Sequence, residues 1–233
     1  MTESKREERI DIGVMKSSKF KDVYAKEFTC MAAGKVEGNL DALIAEIKGS
    51  CKVEGDVKSD LLKIGGAMKV EGNIQAELIR AKGSFKVEGT VNADNFRITG
   101  ATKVEKSINS KEEVSVMGVL KCEENVTAGR FTLLGVADIE DTLKAGLFKA
   151  DLTGKSTIKY LEADTIHVKV SENHKQKTGL ICKKIIGKDI YLEATTAEYV
   201  EGERVVLGPG CSIAQVKAAN LDVHKSSKVG KRL

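Results

Sequence analysis

The three histidines are the side chains of this sequence best suited to bind a metal ion or to transfer a proton near neutral pH. His167 alternates with Ile166 and Val168, which predicts an outward-facing side chain on a strand. His174 lies in a polar stretch, and His224 lies in a basic stretch near the C-terminus. Because the three occupy such different settings, the sequence argues against a three-histidine zinc site.

Cysteines could ligate a soft metal or form disulfides, but their number is odd and none forms a Cys-x-x-Cys pair. Cys51 and Cys122 fall at positions that the strand pattern below predicts to face inward. We interpret the cysteines as reduced core thiols of a cytosolic protein, with metal ligation as the alternative. No set of catalytic residues emerges, so the sequence predicts a protein that is not an enzyme and has no cofactor. The five cysteines are Cys30, Cys51, Cys122, Cys182 and Cys211.

Lysine and glutamate recur in a fixed tetrapeptide, Lys-Val-Glu-Gly, and each copy starts 17 residues after the last. If the copies stack, the lysines form one outward ladder and the glutamates form a second ladder beside it. We interpret these ladders as a solvated face, with a dedicated binding face as the alternative. The copies begin at Lys35, Lys52, Lys69 and Lys86, and a variant copy, Lys-Val-Glu-Lys, begins at Lys103.

Each 17-residue copy reads as three short strands with strict alternation of inward and outward residues. In the second copy these strands centre on Lys52, Lys58 and Lys63, and glycines stand at two of the corners. No copy can bury its six small apolar side chains alone, whereas stacked copies bury them as one core. Helical repeats are disfavoured, because they run about 33–47 residues with apolar spacings of three and four. The pattern therefore predicts an all-β parallel β-helix, or β-solenoid, with three-sided rungs of about 17 residues. Its inward valine column is formed by Val36, Val53, Val70, Val87 and Val104.

Composition agrees with a thin solenoid core. Aromatic residues make up only 4% of the 233 residues, tryptophan is absent and there is one proline, which would interrupt a strand ladder. Charges of both signs are interspersed and the net charge is only +4, so no nucleic-acid partner is expected. Neither a signal peptide nor a long apolar run is found, so we expect a chain that neither crosses a membrane nor follows the usual secretory route.

The repeat pattern also suggests how the chain is divided. We expect a polar N-terminal tail over 1–19, one continuous solenoid over 20–222 and a basic C-terminal tail over 223–233, both tails being flexible. Ile10, Ile12 and Val14 alternate as a short strand within the first tail would. Inside the solenoid we distinguish clear repeats over 35–110, degenerate repeats over 119–168, a polar insert over 172–178 and closing rungs over 180–222.

The Lys-Val-Glu-Gly-Asn/Asp-Φ-x-Ala/Ser units, where Φ is apolar, resemble the bactofilin family of bacterial polymer-forming cytoskeletal proteins. The likeness is strongest over Lys35–Asn109, and Glu198–Cys211 is similar to the longer Gram-positive members. This resemblance implies a right-handed β-helix that polymerises without nucleotide into non-polar filaments by joining solenoid ends. It also implies a cytoplasmic scaffold for cell shape, envelope organisation or motility apparatus, with itself, membrane-associated proteins or the inner membrane face as partners.

Both ends of the predicted solenoid are candidates for self-association, because an open end exposes unpaired backbone groups and apolar core. We favour the C-terminal end, where apolar residues alternate with little charge; the alternative is that these residues are ordinary core. The rival function is a monomeric or small-oligomeric adaptor that binds a membrane-associated partner. The candidate residues are Val205, Leu207, Ile213 and Val216 at the C-terminal end and Phe20, Tyr24 and Phe28 at the N-terminal end.

Overall fold

The structure is a computed structural model that describes residues 6–13, 18–171 and 178–233. Every regular element in these ranges is a β-strand, and the strand pairs are parallel. By contacts between Cα atoms the chain divides into two compact units, unit 1 (Met1–Lys111) and unit 2 (Glu112–Leu233). Each unit is a β-solenoid by itself, which confirms the predicted fold class. Continuity of the solenoid over 20–222 stays a prediction.

Unit 1 contains strands that stack on equivalent strands one repeat away. The 17-residue period arises because the inward positions of each copy pack on those of the next, with strands about 4.8 Å apart. Its strands are β1 (Glu7–Ile12), β2 (Ser18–Phe20), β3 (Val23–Cys30), β4 (Ala33–Val36), β5 (Leu40–Ile47), β6 (Ser50–Val53), β7 (Val57–Ile64), β8 (Ala67–Val70), β9 (Ile74–Ala81), β10 (Ser84–Val87), β11 (Val91–Ile98) and β12 (Ala101–Val104).

Unit 2 has longer strands and fewer breaks. Strand β13 (Ile108–Cys122) runs across the boundary between the units. The rest are β14 (Val126–Leu152), β15 (Lys155–Val170), β16 (Gly179–Ile186), β17 (Asp189–Leu192), β18 (Thr195–Leu207), β19 (Ser212–Val223) and β20 (Lys228–Arg232).

The predicted strand phase is confirmed in the clear repeats. Strands β4, β6, β8, β10 and β12 pair in sequence so that the lysines stack on lysines and the valines on valines. All five predicted valine-column residues are fully buried, at 0% exposure, whereas their lysine neighbours are partly exposed. The inward columns expected in the degenerate repeats are also buried, for example Phe131, Phe148 and Ile166.

Two of the three predicted strands in each copy are joined into one element. In β5 and β7 the chain turns a corner where two successive side chains point outward, such as Asp60 and Leu61. No glycine is needed there, because the parallel ladder continues through the corner. At the other two corners glycines approach the preceding turn closely, so that a methyl group at Gly83 would overlap the carbonyl oxygen of Gly66.

The chain termini differ from the expected flexible tails. In the predicted N-terminal tail, β1 pairs with β3, which aligns Ile10 with Phe28 and Ile12 with Cys30; Val14 lies outside the described residues. In the predicted basic C-terminal tail, β20 pairs with β19. The prediction of flexible tails is wrong for these two segments. Ile10 and Ile12 alternate as a short strand does, whereas β20 is hard to recognise from the sequence because it pairs only with β19 among the described residues and therefore needs few apolar residues.

Candidate functional site

The lysine and glutamate ladders of unit 1 form a connected network of ion pairs. In the copies that begin at Lys35, Lys52, Lys69 and Lys86, the lysine Nζ lies between two carboxylates, one two residues later in the sequence and one in the next turn. For Lys52 these are Glu54 at 2.8 Å and Glu71 at 3.0 Å, and for Lys69 they are Glu71 at 2.9 Å and Glu88 at 2.9 Å. The repulsion between stacked like charges is thus offset inside the network.

Hydrogen bonding within this network shifts the pKa values of its members. The hydrogen bonds that Lys52 and Lys35 donate hold the pKa of Glu54 below its usual value, and the bonds that Lys52 donates to Glu54 and Glu71 raise the pKa of Lys52. The ladders are charged and internally paired at neutral pH. This arrangement favours the interpretation as a solvated structural face, because few charges are left free to attract a ligand.

The C-terminal candidates for self-association are buried beneath another layer. Val205, Leu207, Ile213 and Val216 have exposures between 0% and 3%. The layer that covers them comprises the end of β19 and β20, and its members align as Val205 with Leu221, Leu207 with Val223, Ile213 with Val229 and Val216 with Arg232. These four residues are core, as in the alternative reading, and the outermost positions belong to their partners in the covering layer.

The N-terminal candidates occupy three different settings. Phe28 is fully buried under β1, whereas Tyr24 is 38% exposed and carries the Arg6 guanidinium 4.7 Å from its ring centre. Phe20 is half-buried and lies in β2, the first strand on its side of the solenoid, where it pairs with Val36 of β4. Of the three, only Phe20 lies in an end layer, together with Ile10 of β1.

His167 and Tyr191 of unit 2 pack against each other on paired strands, and their surroundings shift the pKa of both side chains. Burial and the nearby Lys169 and Lys149 lower the pKa of His167, whose ring centre lies 4.9 Å from that of Tyr191. Tyr191 donates a 2.6 Å hydrogen bond to Glu193, which raises the pKa of Tyr191 to about 12. His174 lies outside the described residues, and in the described part of the chain no cluster of three metal-binding side chains is found.

All five cysteines are buried, as predicted for core thiols. The hydrogen bond to Cys30, together with burial, raises the pKa of Cys51, and burial raises the pKa of Cys182. Thiols with raised pKa values are poor nucleophiles and poor metal ligands at neutral pH. Over the ranges that the structure describes, no helix is both long and apolar enough to span a membrane.

Unit 2 carries a surface groove with a volume of about 790 Å³, which the sequence did not reveal. It crosses six strands, and on each strand it is lined by two outward residues and the inward residue between them, such as Thr196, Ala197 and Glu198. Ser212, Ala214 and Gly230 have short side chains that leave its C-terminal half open. The lining residues fall in the segments 138–140, 157–159, 181–183, 196–198, 212–214 and 228–230.

A second ladder of cations in unit 1 was also missed. Lys63, Arg80 and Arg97 stack in register on β7, β9 and β11, on a different face from the lysine–glutamate ladders. The signal that could have identified them is the same 17-residue spacing, applied to the third strand of each copy.

Comparison with known proteins identifies no relative: no protein-family model, no curated protein and no solved structure matches this chain.

Proposed function

We propose that this protein is a non-enzymatic scaffold, similar to the bactofilins, that self-assembles without nucleotide into filaments through the edges of its solenoid. The observation that carries the proposal is an unpaired strand edge in each unit. Among the described residues, β1 pairs only with β3 and β20 pairs only with β19. A parallel strand with a free edge presents a row of backbone donors and acceptors to another copy.

Half-buried apolar side chains accompany both free edges. Ile10 and Phe20 lie in the end layer of unit 1, and Leu221, Val223 and Val229 lie in the end layer of unit 2. These residues replace the deeper residues suggested by the sequence as the candidate contacts. Their partial exposure supports assembly, because a strand added at either edge would bury them further.

Charge distinguishes the two edges. Around β1, opposite charges are paired, for example Arg9 with Asp11 at 2.7 Å and Lys26 with Glu8 at 2.8 Å. Around β20, by contrast, none of four cations has a carboxylate within 4.0 Å among the described residues; these are Lys225, Lys228, Lys231 and Arg232. If two C-terminal edges join, assembly should increase with salt, which screens their mutual repulsion. An N-terminal contact should depend little on salt.

Electron microscopy of the purified protein in negative stain, without nucleotide, tests the proposal. We expect filaments whose abundance increases with protein concentration. Discrete small particles at every protein and salt concentration would contradict the scaffold function.

Proline substitutions at the open edges locate the contact. The Ile12 carbonyl accepts a hydrogen bond from Met31 and the Lys228 amide donates to Cys211, so the backbone groups of the adjacent Asp11 and Val229 face outward. Asp11→Pro and Val229→Pro should each leave the fold intact, because proline is tolerated at edges. The variant at the contact edge should lose sedimentable assemblies, whereas Lys225→Pro, in the turn before β20, should sediment like the parent.

The groove of unit 2 supports the alternative function, a monomeric or small-oligomeric adaptor for a membrane-associated protein. Its volume of about 790 Å³ falls in the range of ligand-binding clefts, and its six-strand length suits an extended segment. For the scaffold we propose a cytoplasmic location, peripheral to the inner face of the cell membrane. Thr157→Arg would fill the groove on β15, away from the open edge strand β20. Loss of partner binding with assembly unchanged would favour the adaptor.

A further inference from the structure

One surface of unit 1 combines two ladders of different chemistry. It is formed by the outward residues of segments 44–48, 61–65, 78–82 and 95–99, and we refer to it as the basic–aliphatic face. Its first column stacks Ile44 on Leu61 and Leu61 on Leu78. Its second column stacks Lys63 on Arg80 and Arg80 on Arg97. Both columns follow from the 17-residue repeat, which places equivalent residues side by side on neighbouring strands.

The cations of this face are not neutralised by the chain. Among the described residues, Lys63, Arg80, Lys82 and Arg97 have no carboxylate within 4.0 Å. Glu46 aligns with Lys63, but it pairs with Lys48 at 3.2 Å. The four segments hold five cations and this one carboxylate.

This arrangement contrasts with the lysine ladder on the strands that precede β7, β9 and β11 in sequence, where Lys52, Lys69 and Lys86 each have two carboxylate partners. Stacked like charges about 4.8 Å apart repel one another, and the repulsion remains until an external anion approaches. An anionic partner would therefore reduce the repulsion within the basic column, whereas the lysine ladder is already neutralised by its own glutamates.

The aliphatic column lies directly beside these cations. Ile44 is 38% exposed and Leu43, at the corner before it, is 37% exposed, while Leu61 and Leu78 are half-buried. The carboxylates nearest to this column, Asp60 and Glu77, precede Leu61 and Leu78 and stand at the corner. No outward residue of the four segments is aromatic.

We infer that the basic–aliphatic face binds the surface of an anionic lipid membrane. Cations gain energy from anionic headgroups, and aliphatic side chains beside them can enter the interfacial region. A second copy docked through the same face would bring cations against cations. Nucleic acid would need stacking platforms that this face lacks, and a tight protein partner would usually need aromatic anchors. The inference rests on the membrane-peripheral location proposed above and names the surface that makes the contact, but it does not depend on assembly, since one copy carries the whole face.

Flotation on a density gradient tests this inference without confusion from filaments, because assemblies sink whereas vesicles carry bound protein upward. The full-length protein should float with vesicles of phosphatidylcholine containing 30% phosphatidylglycerol, and should stay at the bottom with pure phosphatidylcholine. Added salt should release the protein, since the attraction is screened. If the parent fails to float with the anionic vesicles, the inference is overturned.

Two matched charge variants locate the surface. The triple variant Lys63→Gln, Arg80→Gln, Arg97→Gln removes three cations from the face, and Lys52→Gln, Lys69→Gln, Lys86→Gln removes three from the paired ladder. At about 1 kcal/mol per cation near an anionic surface, the first should bind about 100-fold more weakly. The second should stay within about threefold of the parent. Equal losses in both variants would show a general charge effect and overturn the assignment.

The aliphatic column has a separate test. Leu61→Ser with Leu78→Ser keeps every charge and should weaken flotation about tenfold, because two side chains no longer enter the membrane interface. Binding unchanged in this variant would overturn the role of the aliphatic column. Circular dichroism and the urea midpoint establish that each variant is folded. If double-stranded DNA or poly-glutamate binds the parent more tightly than the vesicles do, the partner is not a membrane.

Discussion

Unit 1 repeats one 17-residue copy with little change, whereas unit 2 stacks parallel strands of unequal length, up to 27 residues in β14. In unit 1 the corners contain glycines in contact with the preceding turn, and the outward charges of one face are paired along the stack. In unit 2 the chain often bends within a strand, and Gly118 and Gly135 adopt φ values of 147° and 150°. The same inward packing is therefore compatible with two kinds of turn. In unit 1 the same glycine corner recurs in each repeat, whereas in unit 2 the position of each bend differs from one layer to the next.

The two units also differ in which of their cations have carboxylate partners. Unit 1 pairs its lysine ladder internally and leaves a different set of cations, on the basic–aliphatic face, without partners. In unit 2 a cluster of cations that have no carboxylate within 4.0 Å among the described residues lies in and around the last strand, where Lys228 and Lys231 flank Val229 and Gly230. The comparison teaches that repeated charges need not signal a binding surface, whereas charges that the chain leaves unpaired are better candidates.

The largest expected effect is on the shared core. Val53→Asp or Val70→Asp in unit 1, and Val200→Asp in unit 2, should each lower the free energy of unfolding by about 3–5 kcal/mol, because each buries an unpaired charge. Urea denaturation measures the change. Lys52→Ser is the control on the neighbouring outward position and should cost far less; an equal cost would mean that the strand phase is wrong.

Two glycines, one in each unit, should differ in their sensitivity to substitution. Gly83→Ala should cost about 2–3 kcal/mol, because its methyl group overlaps the Gly66 carbonyl and the stacked backbone must move. Gly146→Ala in unit 2 should cost less, since its methyl group would lie 2.8 Å from the Gly129 oxygen.

Gly65→Ala is the matched control for this glycine series. Its methyl group would lie 3.7 Å from the Ile47 oxygen, so the free energy of unfolding should stay within about 0.5 kcal/mol of the parent. If the three alanine variants have similar urea midpoints, close stacking of the turns is not what fixes unit 1.

A smaller, stabilising effect is expected at Thr102. It stands in the inward column after Phe85, is 3% exposed, and its hydroxyl oxygen has no hydrogen-bond partner among the described residues. Thr102→Val keeps the shape and should raise the free energy of unfolding by about 1 kcal/mol. Ser110→Ala is the comparison, because the Ser110 hydroxyl donates to the Asp94 carbonyl at 2.7 Å. Stabilisation by both changes would contradict the explanation.

The smallest effect concerns the paired ladders and pH. The pKa values of Glu54, Glu71 and Glu88 are lowered in the folded state by their lysine partners. Their contribution is complete above the unfolded pKa of about 4.3 and is lost as the pH falls through the folded-state values. The urea midpoint of the parent should therefore fall more steeply below about pH 4.3 than that of the triple glutamate-to-glutamine variant. Parallel pH profiles would show that the ladders add nothing to stability.

Much of the fold could be predicted from the sequence because alternation and repetition report directly on burial. Val53 and Phe148 were placed correctly even though one lies in a clear repeat and the other in a degenerate one. The last strand was missed for a physical reason. Arg232 occupies the column position of Val216, and such a residue is allowed only where no further layer of the same chain covers it.

The candidate surfaces were harder to predict than the core. Whether a lysine is neutralised depends on distances to carboxylates in adjacent turns, and the spacing of charges alone does not give these distances. Lys52 and Lys63 lie in the same repeat, yet only Lys52 has a carboxylate partner among the described residues. The groove of unit 2 likewise depends on which short side chains become neighbours across strands.

The most direct test of the scaffold proposal is negative-stain microscopy of the parent beside a double variant, Asp11→Pro with Val229→Pro, at matched concentrations. The account predicts filaments for the parent and discrete particles for the double variant, with circular dichroism showing the same β content in both. Filaments of equal abundance in the two proteins, or discrete particles for the parent at every concentration, would contradict assembly through the open strand edges.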